Sequence, residues 1–68
     1  MTNNTQNSIE KLTKREIEIS LLISEGYTTN AIAQKLGIKS NTVSTIKRNV
    51  FFKLGIHSEI ALYNALKE

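Results

Sequence analysis

The segment from Ser40 to Leu54, SNTVSTIKRNVFFKL, lies between Gly37 and Gly55 and contains no proline, no glycine and no acidic residue. A glycine beyond each end suits chain reversals at helix termini, so the spacing predicts one uninterrupted helix. On a wheel of about 100° per residue, Val43, Ile46, Val50 and Leu54 gather on one side. Asn41, Thr45 and Arg48 fall on the other, with Ser44 and Asn49 on its shoulders. One face is suited to burial, and the other offers hydroxyls, amides and a guanidinium. Only Ile38 and Lys39 separate Gly37 from this helix. So short a link makes two helices cross steeply, as in a helix-turn-helix. Spacing alone leaves an ordinary helical hairpin as the alternative.

Charge is concentrated in the same place. From Met1 to Ile38 the cations Lys11, Lys14, Arg15 and Lys35 balance Glu10, Glu16, Glu18 and Glu25. Lys39, Lys47, Arg48 and Lys53 then follow without an acid, and the tail sets Lys67 against Glu59 and Glu68. The net +3 therefore originates in and beside the central helix. An acid-free face carrying hydroxyls, amides and a guanidinium is what a helix in a DNA major groove needs. On charge alone, a solvated basic face is the competing interpretation.

The 68 residues suffice for one domain with a small core. Cysteine is absent, so helix packing and dimerisation must supply what disulfides or a thiolate metal site would otherwise provide. No apolar run approaches the roughly 18 residues of a membrane span and no signal peptide is visible, so the expectation is a cytoplasmic protein.

The remaining elements follow from local signals. Residues 1–10 are polar and rich in Asn and Thr, predicting a flexible arm ahead of a domain at 11–68. Thr13-Lys14-Arg15-Glu16 has the form of a capping box, and Leu12 with Ile17 the spacing of a hydrophobic staple. A first helix is expected over about 13–25, with Gly26 beyond it. Ile19, Leu22 and Ile23 form its apolar face, while Ile17 and Leu21 lie almost opposite; the staple accounts for Ile17 but not for Leu21, and the alternatives are a partner contact, burial under the N-terminal arm or simple exposure. A second helix over about 28–36, capped by Thr28 or Thr29, turns Ile32, Ala33 and Leu36 inward. The third covers 40–54. The fourth, over about 58–67 with Ser58 as its cap, buries Leu62, Ala65 and Leu66 and leaves Ile60 and Tyr63 for a second copy. His57 has no cluster of metal ligands around it and is assigned to the surface of a turn. The fold class expected is all-α, with four helices.

LTKRE at 12–16, Gly26, Ile32-Ala33, Leu36-Gly37-Ile38, Thr42-Val43, Lys47-Arg48-Asn49 and Lys53-Leu54-Gly55-Ile56 occur in an order and spacing that resemble the LuxR/FixJ/GerE-type helix-turn-helix domain. The match runs from residue 12 to about 66. The resemblance implies a bacterial transcription regulator whose second helix is a scaffold, whose third enters the major groove and whose fourth forms a homodimer contact. It places base contacts at Ser44, Thr45 and Arg48. Phosphate contacts fall at Thr28, Thr29, Asn30, Asn41, Thr42, Lys47 and Lys53. The sequence departs from the pattern in several places. Ile46 stands where His is common and becomes a packing residue. Lys39 stands where Ser is common, so Ser40 is expected to take over the cap. Phe52 occupies a usually basic position, and Ala31 and Glu59 stand where an acid and an Arg are usual. Most members carry a signal-receiving domain ahead of this one, and the initiator Met favours a stand-alone, GerE-like regulator over an excised domain.

The function expected is therefore a sequence-specific regulator of transcription that binds double-stranded DNA as a dimer. The competing class is a protein-interaction module of the same fold, presenting Phe52, Ile17 and Leu21 to another regulator or to RNA polymerase. No paired carboxylates, His-activated nucleophile, metal-ligand cluster or phosphate-binding glycine loop points to an enzyme, and no cofactor is expected.

Overall fold

The computed structural model describes residues 10–67, and these contain four helices and no strand. In chain order they are α1 (Lys14–Ser24), α2 (Thr29–Leu36), α3 (Ser40–Leu54) and α4 (Glu59–Lys67). The fold is all-α, as expected. The arm proposed for residues 1–10 lies, apart from Glu10, outside the described residues.

Each helix begins where a local side chain can satisfy its first amides, with one exception. Thr13 caps α1 in a complete capping box: its hydroxyl accepts from Glu16 N at 3.1 Å, and Glu16 Oε1 accepts from Thr13 N at 2.9 Å. Thr28 caps α2 by accepting from Ala31 N, and Ser58 accepts from Ala61 N at the start of α4, both at 3.1 Å. The exception is α3. Ser40 does not cap it but is its first helical residue; the cap position is Lys39, whose extended backbone carries no side-chain cap bond. The expected shift of the cap to Ser40 is thus incorrect. Helical geometry begins one residue sooner, and lysine has no acceptor to offer.

The helix ends are equally local. Gly37 and Gly55 adopt left-handed backbones with φ of 70° and 66°, a conformation that a Cβ disfavours. At Gly55 the amide of Ile56 returns to the Phe51 carbonyl at 3.0 Å, closing the last turn of α3 and bringing Ile56 back against the core.

The core consists of Leu12, Ile19, Leu22, Ile23, Ile32, Ala33, Val43, Val50 and Leu62. It draws on all four helices, because each supplies apolar residues at helical spacing. α1 packs against the other three helices, and α2 packs against α3. Ile46, Leu54 and Leu66 are half-buried around this centre. Ile17, offered above as a partner contact, is instead partly buried and packs against this core, in keeping with its staple spacing from buried Leu12. Leu21, its neighbour one turn on, does remain exposed. The buried hydroxyl of Ser20 is satisfied by donating to the Glu16 carbonyl at 2.7 Å.

Candidate nucleic-acid interface

The inner side of α3 is fixed by Val43 and Val50, both fully buried. That burial determines which side chains face outward. Asn41, Thr42, Ser44, Thr45, Arg48, Asn49 and Phe52 are all exposed on one helix. Three of these, Ser44, Thr45 and Arg48, are the residues expected to read bases, and the fold presents them together. Nothing acidic lies in the first turn of α3. Its opening amides, without a side-chain cap, point their partial positive charge outward.

The residues expected to meet phosphate divide into two groups. Asn41 and Thr42 at the start of α3, with Thr28 and Asn30 around the start of α2, are exposed, and Thr29 is half-buried. The Thr28 hydroxyl already accepts a bond from Ala31 N and retains its proton to donate outward. The lysines are differently placed. Lys47 Nζ lies 2.7 Å from Glu59 Oε2 and sits over the Phe51 ring at 5.7 Å, its stem lying along apolar surface. Lys53 Nζ lies 2.9 Å from Glu16 Oε1. Lys39 and Arg48 form no ion pair among the described residues.

The two carboxylates were not found by reading the sequence of α3 alone, and they change its electrostatics. Glu16 is buried beneath Lys53. Its carboxyl is held below the ordinary carboxylate range, first by the hydrogen bond from Lys53 and then by the Thr13 amide, against the opposing effect of burial. Glu59, by contrast, is exposed on the first turn of α4. The family resemblance identified position 59 as unusual, but not that its acid would reach Lys47. Of the four cations in and next to α3, Lys39 and Arg48 therefore carry the exposed, unneutralised charge among the described residues.

The residues expected to meet a partner lie on different elements. Ile60 and Tyr63 are exposed on α4, at 75% and 48% of their full area, and Leu21 on α1 at 46%. Phe52, at 86%, lies at the C-terminal end of α3 beside a shallow, open depression that it lines with Arg48, Phe51, Gly55, Ile56 and His57. Among the described residues no helix is long and apolar enough to cross a membrane.

Residues 10–66 match the family described as bacterial regulatory proteins, luxR family. The chain is 41% identical over 68 residues to the oxygen regulatory protein NreC of Staphylococcus aureus, a match covering 98% of this chain and 31% of NreC. It is 33% identical over 58 residues to the response regulator UvrY of Escherichia coli, covering 85% of this chain and 27% of UvrY. It thus spans about a third or less of the length of these relatives. Among solved structures, the response regulator RcsB in its complex with DNA superposes with a TM-score of 0.78 at 37% identity, over 84% of this chain and 28% of that one. RcsB of Salmonella typhimurium gives 0.77 at 38% identity, over 82% and 27%. With a family match over nearly all the described residues and a shared four-helix fold, the chain belongs to the luxR family of bacterial regulatory proteins.

Proposed function

We propose that this domain binds double-stranded DNA sequence-specifically, with α3 in the major groove, and that it regulates transcription as a dimer. The observation that carries this reading is the exposed, acid-free outer face of α3. The likeness to RcsB, solved as a DNA complex, supports it.

In this reading Arg48 makes a bidentate pair with guanine, and Ser44 and Thr45 contact neighbouring base edges. Asn41, Thr42 and the start of α2 at Thr28, Thr29 and Asn30 grip phosphates and set the register, carrying no sequence information themselves. Lys47 reaches phosphate by exchanging Glu59 for it. Lys53, tied to buried Glu16, adds less to the attraction for phosphate than its charge alone would suggest. Ile60 and Tyr63 form the contact between two copies, a small patch that holds the dimer weakly in solution and more firmly on paired half-sites.

Selection from random duplexes tests this directly. The native domain should return two related half-sites at fixed spacing. Arg48→Ala should lose roughly 1–3 kcal/mol of discrimination at one guanine while keeping the register. Failure to enrich any duplex at low salt would overturn the reading. A protein-interaction module is favoured only by exposed Leu21 and Phe52. It would be supported by a Leu21→Ser variant that loses regulation while keeping full DNA affinity.

A further inference from the structure

Among the described residues Phe52 is the most exposed of the large apolar side chains, at 86%, on a helix whose inward face is already filled. Its place on that helix is specific. Asn41, Thr45, Arg48 and Phe52 stand at i, i+4, i+7 and i+11, a single stripe down the outer side of α3. At 1.5 Å per residue the stripe is about 16 Å long, roughly five base-pair steps of ~3.4 Å. Phe52 is therefore the next position after Arg48 along the face assigned to the bases. The depression lined by Arg48 also takes in Phe51, Phe52 and Ile56, with Gly55 and His57, so apolar side chains make up much of its wall beside the arginine.

We propose that Phe52 is a specificity-determining residue that packs its ring on the 5-methyl group of a thymine next to the base read by Arg48. This rests on the reading of α3 as the groove helix. The chemistry selects the occupant. Each base edge in the major groove presents donors and acceptors, and the thymine methyl is the one apolar group among them. A phenyl ring forms no hydrogen bond and attracts no phosphate, so at this point in the stripe the methyl is the feature it can recognise. Arg48 lines the same depression, so the two side chains border one surface. A basic side chain here would add affinity for every sequence. The phenyl ring replaces that with preference for one base.

The test deletes the methyl and nothing else. Each thymine of the selected duplex is replaced singly by deoxyuridine, and affinity is measured for the native chain and for Phe52→Ala. Phe52 lies outside the core, and a thermal melt of the variant confirms that it folds. At one position per half-site, adjoining the guanine that depends on Arg48, the native chain should lose about fourfold in affinity, the equivalent of ~0.8 kcal/mol for one buried methyl. Phe52→Ala should be indifferent to the same change. The proposal falls if deoxyuridine costs the two proteins equally at every position, in which case Phe52 serves a protein contact. It also falls if Phe52→Ala selects an unchanged site. These outcomes are distinct from failure of the DNA-binding reading itself, in which the native chain enriches no sequence at all.

Discussion

The Lys53 ammonium lies 2.9 and 3.1 Å from the two carboxylate oxygens of Glu16, fastening the last turn of α3 to the first turn of α1. The same carboxylate accepts from the Thr13 amide, so one buried acid closes a helix cap and anchors a second helix. Lys53 also approaches the Lys11 carbonyl at 3.4 Å.

Glu16→Gln separates these two roles, because glutamine retains a cap acceptor but not the charge. The variant should lose about 1–2 kcal/mol, the roughly 1.5–3 kcal/mol of a hydrogen bond to a charged group discounted because Lys53 is partly open to solvent. In a domain of this size that lowers Tm by about 5–15 °C. The loss should depend on pH in a defined direction. The Glu16 carboxyl is held below its ordinary value of 4.5 in the folded protein. Its stabilisation is therefore fully present above that value and disappears as pH falls through the lower, folded one. Urea melts of both proteins from about pH 7 to pH 3 should converge at the acid end. A constant gap across that range would show that the charge on Glu16 contributes nothing.

In the proposed DNA-binding reading, the Glu59 carboxylate that pairs with Lys47 competes with phosphate for it. Both side chains are open enough, at 60% and 29%, for the pair to contribute little to folding. Glu59→Gln should leave stability within about 0.5 kcal/mol and raise affinity for every duplex, cognate or not, by roughly two- to fivefold at low salt. The gain should vanish when Lys47→Gln is already present. A gain of equal size in both backgrounds, measured by titration, would mean that Glu59 repels DNA directly without sequestering Lys47.

These two ion pairs also show what could and could not be read along the chain. The caps by Thr13, Thr28 and Ser58 and the stops at Gly37 and Gly55 depend on residues a few positions apart, so helix limits were legible almost to the residue. So was the outward side of α3, because Val43 and Val50 fix its rotation. Lys53 and Glu16 stand 37 positions apart, and Lys47 and Glu59 stand 12 apart. No periodicity connects either pair; only the packing of α3 against α1 and the turn into α4 brings them together. A tally of charge on α3 alone therefore overstated its free positive charge. Ile17 was half legible: its staple spacing with Leu12 pointed inward while the wheel drawn for α1 set it opposite the apolar face, and the packing decides for the core.

Gly55 offers a test of backbone conformation free of steric contacts. A Cβ built there meets nothing within 4 Å, so the cost of Gly55→Ala comes from its left-handed φ of 66° alone. We expect a destabilisation of about 1–2 kcal/mol by urea melt, with Gly55→Asn recovering part of it because asparagine tolerates that conformation. If alanine proves neutral, the turn must relax to another geometry, and the position of Ile56 would shift with it.

Val43 and Val50 make α3 the keel of the domain, while the side chains on its opposite edge are exposed among the described residues. Letters on that edge can therefore be rewritten without reopening the interior. A lineage can drift to a new operator by exchanging outward side chains, and the thermodynamic toll of each exchange is small. A protein engineer can use the same freedom.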